Sequence, residues 1–229
     1  MVPLDFTTIE IVKGNKGEAK TYLMVEKYKV LIVDDHPLAR VGIKNILETQ
    51  NNIEIVGLLS HAEAVIPAIT KTPTDAIFLD LNLPDKSGMY LIPKLTASLN
   101  QNVIIITGYI NYKDAILAQQ LGVKSIVSKS DPPNVILKAF NRVMSGNTYV
   151  SPAIETILRV TPPQKSISLT PRQMAVLYYL SKGESNKEIG YLLNISAPTV
   201  SFHLHDLKLK LNVKGNRKIL RKAQELDLI

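Results

Sequence analysis

The chain of 229 residues is long enough for one large domain or two domains of ordinary size. Its apolar share of 45% and charged share of 21% are typical of globular proteins and exclude a wholly disordered chain. The lack of cysteine excludes disulfides and thiolate sites and fits a reducing cytoplasm, and no apolar run is long enough to cross a membrane. Of the net charge of +7, most lies in residues 169–229, which favours a polyanionic partner, nucleic acid first, although a charged solubility surface is the alternative.

Residues 1–26 form an N-terminal extension that belongs to neither of the patterns that follow. Their scattered charges and the lack of a long apolar centre exclude a signal peptide. Residues 7–12 could form a weak strand, but Gly14 and Gly17 then interrupt any pattern. We expect the extension to be disordered or a mis-annotated start, with Met24 as the true first residue.

Residues 27–146 alternate short apolar runs with amphipathic runs five times. The apolar runs are rich in Val, Ile and Leu, which is typical of strands buried on both faces. The predicted strands are 29–33, 53–59, 76–81, 103–107 and 125–128, and the predicted helices are 37–48, 62–70, 89–97, 112–121 and 133–144. Five βα units predict a parallel five-stranded sheet with right-handed crossovers, covered by helices on both faces. For this sheet we adopt the doubly wound strand order 2-1-3-4-5 that is common among five-stranded α/β folds.

The remaining residues predict a linker and a small helical domain. Residues 147–168 include three prolines and read as a linker, with a possible short helix over 151–160. In residues 169–229, capping-box sequences begin at Thr170 and Ser185, and Ser196 caps a third helix that runs to about Leu211. A fourth helix is predicted over 217–225. Two helices joined by a tight turn predict a helix-turn-helix domain.

Polar side chains stand where the predicted strands of residues 27–146 end. Asp34 and Asp35 follow the first strand, Asp80 ends the third, Thr107 ends the fourth, and Lys129 follows the fifth. In the strand order 2-1-3-4-5, the acidic ends face each other at the point where the order reverses. Converging carboxylates favour a hard cation such as Mg²⁺, and a lysine and a hydroxyl can stabilise phosphoryl oxygens. Asp80, the lone acid on the middle strand, is the candidate nucleophile for an aspartyl-phosphate, although strand-end aspartates can also serve only as loop caps.

These motifs resemble the receiver domain of bacterial two-component response regulators. The resemblance rests on VDDHP at 33–37, DLNLPDKSG at 80–88, Thr107-Gly108 and Lys129. It implies Asp80 as the phosphoacceptor, phosphorylated by a partner histidine kinase or a small phosphodonor, and not a turnover enzyme. It further implies Mg²⁺ held by Asp35, Asp80 and the backbone carbonyl of Asn82, with Asp34 acting through water, and phosphoryl contacts from Thr107 and Lys129.

The position three residues before Lys129 departs from that family. The family often has Tyr or Phe there, and this ring turns inward as the threonine moves, whereas this chain has Ile126. Either the coupling between Asp80 and the output is altered, or Ile126 is a neutral core substitution.

Residues 169–229 resemble the output domain of LuxR/FixJ/NarL-type regulators, a four-helix module with a helix-turn-helix. The resemblance rests on LTPRQ at 169–173, SNKEI at 185–189, LNIS at 193–196, TVSFHL at 199–204 and KLKLNVKGNRKI at 208–219. It implies that the third helix enters the DNA major groove and that the protein forms a homodimer when phosphorylated, with the fourth helix as a dimer contact or as core. Candidate DNA contacts are Lys187, Thr199, Ser201, Phe202, His205, Lys208 and Lys210.

Two features of the third helix qualify those candidates. Relatives commonly carry lysine at positions 201 and 205, so Ser201 and His205 leave fewer groups that read guanine. Phe202 either touches a thymine methyl group or packs inward, and inward packing is favoured.

The sequence as a whole predicts a cytoplasmic transcription factor whose DNA binding is controlled by phosphorylation. One alternative is a phosphorylation-independent DNA-binding regulator or scaffold with a vestigial switch. Another is an aspartyl-phosphate phosphatase of a different α/β class, against which the helix-turn-helix argues.

Overall fold

The computed structural model describes residues 8–13, 19–24, 27–159 and 167–229, with only the backbone for the first two ranges. The eight strands in these ranges are β1 Thr8–Lys13, β2 Ala19–Met24, β3 Tyr28–Val33, β4 Ile53–Leu59, β5 Ala76–Leu79, β6 Asn102–Thr107, β7 Ser125–Ser128 and β8 Tyr149–Val150. The helices are α1 Pro37–Leu47, α2 Val65–Lys71, α3 Gly88–Pro93, α4 Tyr112–Gln120, α5 Pro133–Met144, α6 Pro152–Arg159, α7 Pro171–Ser181, α8 Asn186–Leu193, α9 Ala197–Lys210 and α10 Asn216–Glu225.

The N-terminal extension contains a small sheet of its own. Strand β1 covers most of the expected strand at 7–12, and it pairs antiparallel with β2, which the sequence did not predict. Residues 1–7, 14–18 and 25–26 lie outside the described part of the chain. The expectation that translation starts at Met24 stays a prediction.

The central sheet is parallel, and its strand order is β4-β3-β5-β6-β7-β8. The first five strands have the predicted order 2-1-3-4-5, which confirms the doubly wound fold. The short strand β8 extends the sheet beyond the prediction, because Tyr149 and Val150 pair with Ser125 and Ile126. The order reverses between β3 and β5, so the carboxyl ends of these two strands flank one crevice.

The two faces of the sheet are buried in separate apolar layers. Side chains alternate along a strand, so that Val30 and Ile32 lie on one face and Leu31 and Val33 on the other. The first face packs against α1 and α5. The second face packs against the side that carries α2, α3 and α4, and this layer continues into the C-terminal helices.

Two predicted helices of the receiver are interrupted. The helix predicted at 62–70 begins as a 3-10 turn over Ala62–Ala64, whose first amides donate to the Asp85 carboxylate at 2.9 Å. The helix predicted at 89–97 is divided into α3 and a π-helical turn, Lys94–Ser98. Pro93 lies at this junction, and it removes one amide from the helical hydrogen-bond ladder.

The C-terminal helices form the predicted four-helix module, and the expected short helix at 151–160 is present as α6. Capping boxes begin α7 and α8, and Asn194 ends α8 in the left-handed conformation, with φ of 54°, which makes the tight turn before α9. Val200, Leu204, Leu207 and Leu211 are buried as predicted. No helix in the described part of the chain is long and apolar enough to span a membrane.

The module is docked on the receiver through α7 and α8. The Tyr179 hydroxyl donates to the Tyr90 carbonyl at 3.0 Å, and the Tyr90 hydroxyl donates to Glu184 Oε1 at 2.5 Å. Ser98 Oγ donates to the Leu193 carbonyl at 2.7 Å. Because α7 packs against its own module on one side and against α3 on the other, the residues of α7 from 173 to 179 are all buried.

Candidate functional site

The predicted acidic cluster forms at the crevice where the strand order reverses. Asp34 and Asp80 are almost completely buried at the ends of β3 and β5, and Asp35 is half-buried beside them. Ligand atoms of these three carboxylates and of the His36 imidazole lie within 4.8 Å of one another. Oxygen-rich clusters of this kind suit Mg²⁺, so the donor set fits the expected cation.

Lys129 lies between the two buried carboxylates. Its Nζ is 2.7 Å from Asp34 Oδ2 and 2.7 Å from Asp80 Oδ2. Burial alone lowers the pKa of Lys129, but hydrogen bonds and charge attraction from Asp34 and Asp80 outweigh it, so the pKa is raised above its usual value. The lysine therefore stays charged and compensates the two acidic groups.

The remaining receiver residues considered from the sequence lie in or shortly after the strands β5, β6 and β7. The Asn82 amide donates to Asp80 Oδ1 at 3.3 Å, which brings its backbone to the acidic cluster. Thr107 is buried at the end of β6, and its hydroxyl donates to the Tyr109 carbonyl at 3.0 Å. The Lys129 amide donates to the Thr107 carbonyl at 2.8 Å, so the ends of β6 and β7 are joined. Ile126 is fully buried in the core.

Sequence reasoning missed two neighbours of the acidic cluster. His36 Nδ1 lies 2.6 Å from Asp35 Oδ1, and the His36 amide donates to Asp34 Oδ1 at 2.9 Å. The Arg40 guanidinium donates to the Asp34 carbonyl. The position of His36 directly after two acidic residues could have indicated its contact with them. Arg40 lies in the first turns of α1, and only the folded structure shows that its side chain reaches back to the Asp34 carbonyl.

Asp80, the phosphoacceptor candidate, is next to the start of α3, the helix against which the C-terminal module packs. The Gly88 amide donates to the Leu81 carbonyl at 2.8 Å, and a Cβ at Gly88 would lie 3.0 Å from Leu81 Cα and nearer still to the Asp80 carbonyl oxygen. Only glycine allows α3 to begin this close to Asp80. Two residues further along α3, Tyr90 makes the contacts with Glu184 and Tyr179.

The outer surface of α9 is accessible in this structure. Ser201, Phe202 and His205 are exposed, so the receiver does not cover them. Phe202 is 61% exposed, and the expectation that it packs inward is wrong. The reason is that Val200 and Leu204 occupy the inward positions, and residue 202 falls between them on the outer side.

The other candidate DNA contacts differ in their exposure and in their internal hydrogen bonds. Lys187 is exposed at the start of α8, and Lys208 is half-buried. Lys210 Nζ donates to Gln173 Oε1 at 2.9 Å and to the Ser168 carbonyl at 3.1 Å, so it braces the start of α7. Thr199 is half-buried, and its hydroxyl lies 2.8 Å from Ser196 Oγ.

The fourth helix packs one face into the core of the module. Ile219 and Ala223 are fully buried against the rest of the module, and Leu220 is half-buried. The Asp227 carboxylate, just beyond α10, accepts from Lys113 Nζ on α4 at 2.8 Å. Because Ile219 and Ala223 are buried, Leu220 is the one of these three apolar side chains that is partly exposed for a dimer contact.

These features define a receiver with an acidic strand-end site, joined to a helix-turn-helix module. Residues 30–141 match the family described as "Response regulator receiver domain", and residues 167–223 match "Bacterial regulatory proteins, luxR family". A nitrate/nitrite response regulator homolog of Haemophilus influenzae is 35% identical over 193 residues, which are 83% of this chain and 93% of that protein. Response regulator VraR of Staphylococcus aureus is 30% identical over 88% of this chain and 98% of its own length. The chain therefore belongs to the family of DNA-binding response regulators of two-component systems.

Solved structures support the same fold. A structure of RcsB from Salmonella typhimurium covers 87% of this chain and 99% of its own, with a TM-score of 0.58 and 24% identity. A structure described as two RcsB dimers bound to two parallel DNAs has a TM-score of 0.57, also at 24% identity, and covers 88% of this chain and 100% of its own. At this identity the likeness concerns the fold alone.

Proposed function

We propose that Asp80 accepts a phosphoryl group and that its phosphorylation controls DNA binding by residues 169–229. The observation that carries this proposal is the convergence of Asp34, Asp35, Asp80 and Lys129 at the strand-order reversal. A carboxylate oxygen of Asp80 attacks phosphorus, and the bond between phosphorus and the donor breaks with its electron pair leaving on the donor. The chain is the acceptor in this transfer and not a turnover enzyme.

The residues around Asp80 would bind the cation and stabilise charge on the phosphoryl oxygens. Asp35, Asp80 and the Asn82 carbonyl would hold Mg²⁺, with Asp34 acting through water, and the bound cation would neutralise charge on the phosphoryl group. Lys129 already stands 2.7 Å from Asp80 Oδ2 and can follow the developing charge onto a phosphoryl oxygen. The Thr107 hydroxyl can leave the Tyr109 carbonyl and donate to another phosphoryl oxygen.

The proposed donor is a partner histidine kinase, with small phosphodonors as substitutes. Leu38, in the first turn of α1, is 88% exposed, and Val41 one turn later is 50% exposed. Large apolar side chains exposed together beside a reaction site suit a protein partner. A kinase of this kind and a DNA target imply a cytoplasmic location.

The proposed output is binding in the major groove by α9. We assign phosphate contacts to Lys187 and Lys208 and base contacts to Phe202 and His205, because these side chains are exposed or half-exposed. The remaining candidates are held in internal hydrogen bonds, namely Ser201, Thr199 and Lys210. A homodimer of the phosphorylated protein would present two such helices to half-sites one helical turn apart.

The test is footprinting on genomic fragments, with and without acetyl phosphate and Mg²⁺. Wild type is compared with Asp80→Asn and with Glu54→Gln, which alters an exposed carboxylate on β4 as a matched control. We expect protection to strengthen with the phosphodonor for wild type and Glu54→Gln but not for Asp80→Asn. Equal binding by all forms would refute the switch and leave a phosphorylation-independent regulator. No binding by any form would refute the DNA-binding role of α9.

A further inference from the structure

We infer that α9 reads thymine methyl groups through Phe202, so that each operator half-site carries an A·T pair opposite this ring. This inference rests on the proposed function, because it concerns which base pairs the DNA-binding module selects. The α9 surface has an unusual property for a DNA-binding helix. The largest exposed group at its centre is an apolar ring.

The neighbouring polar side chains are engaged within the module. Ser201 Oγ donates to the Ala197 carbonyl at 3.1 Å and accepts from Asn186 Nδ2 at 3.0 Å, so its single proton is used. The Thr199 and Ser196 hydroxyls are 2.8 Å apart, and Ser196 Oγ also accepts from the Thr199 amide as the helix cap. Hydroxyl groups fixed in this way lose internal hydrogen bonds if they turn toward a base edge.

The apolar character extends along the outward face of α9. With 3.6 residues per turn, positions 202 and 209 lie on the same side of the helix, about 10 Å apart. Phe202 is 61% exposed and Leu209 is 67% exposed, and Pro198 is exposed one turn before Phe202. His205 is the polar group between them. An apolar stripe of this length gains free energy only against an apolar partner.

The Phe202 ring is held in an outward position by its neighbour. The His203 ring packs edge-on against it, with ring centroids 5.8 Å apart and an interplanar angle of 67°. His203 is half-buried, and burial together with the charge of Arg172 lowers its pKa, which favours a neutral ring for this contact. Phe202 therefore projects from the helix as an oriented group.

The major groove offers one apolar feature, the C5 methyl group of thymine. Guanine is read by bidentate Arg or Lys, and the first three turns of α9, from Ala197 to Leu207, contain neither residue type. Exposed Lys187 at the start of α8 supplies attraction to phosphate without base preference. Phe202 is thus the group that can distinguish base pairs by methyl contact.

The experiment compares thymine with deoxyuridine, which differs only by the methyl group. An operator is first selected from random duplexes with the full chain treated with acetyl phosphate and Mg²⁺, and each thymine is then replaced singly by deoxyuridine. Burial of one methyl group predicts a roughly fourfold loss of affinity at the contacted position. We expect this loss for wild type and for Phe202→Leu, and no such loss for Phe202→Ala, with affinities measured by fluorescence anisotropy.

Two controls separate methyl reading from other effects. Lys187→Met is expected to weaken binding to the parent and substituted operators equally. The melting temperature of Phe202→Ala is expected to match wild type, because an exposed ring contributes little to the core. Specific binding that ignores every thymine-to-deoxyuridine change, or equal sensitivity in Phe202→Ala, would overturn this inference alone. Failure to select any sequence would overturn the DNA-binding role of α9 and this inference with it.

Discussion

Replacing Gly88 with alanine tests how closely Asp80, the proposed phosphoacceptor, depends on α3. The new Cβ would lie 3.0 Å from Leu81 Cα and 3.2 Å from the Asp80 carbonyl carbon, with the carbonyl oxygen nearer still. These are backbone atoms, so either α3 or the Asp80–Leu81 peptide must move, by roughly 1 Å. Overpacking of this kind costs about 1–3 kcal/mol.

The consequences of Gly88→Ala concern both stability and phosphorylation. For a chain of this size, the cost lowers the melting temperature by about 2–12 °C. A displacement of roughly 1 Å at a reacting group can slow a reaction by about 100-fold, so we expect the rate of labelling by acetyl phosphate to fall by up to that factor. Differential scanning fluorimetry and Phos-tag gels measure the two effects.

The matched control is Gly42→Ala. Gly42 lies inside α1, and nothing lies within 4 Å of a Cβ built there. Because alanine is the better helix former, this variant should melt at the wild-type temperature or slightly above it and be phosphorylated at the wild-type rate. If Gly88→Ala were to match Gly42→Ala in both measurements, the direct contact between α3 and the Asp80 backbone would affect neither stability nor the phosphorylation of Asp80.

Three further predictions concern individual charges and hydroxyls. Lys129→Met should strengthen Mg²⁺ binding, because a competing cation is removed, and it should slow phosphorylation. The Mg²⁺-dependent shift in melting temperature measures the first effect, and labelling by acetyl phosphate measures the second. Weaker Mg²⁺ binding by this variant would contradict the prediction. Burial raises the pKa of Tyr178 to about 12, so the folded chain keeps a proton that the unfolded chain loses near pH 10, and stability should fall as pH rises from about 10 to 12. Urea unfolding across this range should show a shallower fall for Tyr178→Phe, and an unchanged slope would refute that assignment. Lys187→Met should reduce the salt dependence of DNA binding by about one phosphate contact, whereas Lys210→Met should mainly lower the melting temperature, because Lys210 is bound to Gln173; equal salt slopes in the two variants would contradict this.

The acidic site could be predicted closely because it depends on strand ends. The predicted strands at 53–59 and 125–128 match β4 and β7, and the ends of β3 and β6 fall where expected. Once the strand order was known, Asp34, Asp80 and Lys129 had to converge, since parallel strands end at one edge. The contacts of Arg40 could not be predicted, because they depend on the angle at which α1 leaves the sheet.

The predictions from sequence were wrong where tertiary contacts or a proline interrupt the local helical pattern, or where helical position outweighs residue type. Residues 89–97 have helical periodicity throughout, yet Pro93 and the π-helical turn divide them. At this point the Thr96 hydroxyl lies within hydrogen-bond distance of two carbonyls, those of Ile92 and Leu121. The orientation of Phe202 was misjudged, because residue type favoured burial and helical position decided exposure.

The sequence by itself predicted the receiver fold, the helix-turn-helix module and the polar residues that gather at the strand ends. These depend on local periodicity and on polar residues at strand ends, which neighbours along the chain specify. Only the tertiary structure decided that α7 is buried on both sides, that Tyr90 bonds Glu184 and Tyr179, and that the outer face of α9 stays accessible. Those contacts join residues roughly 90 positions apart, and the packing of one finished domain on another selects them.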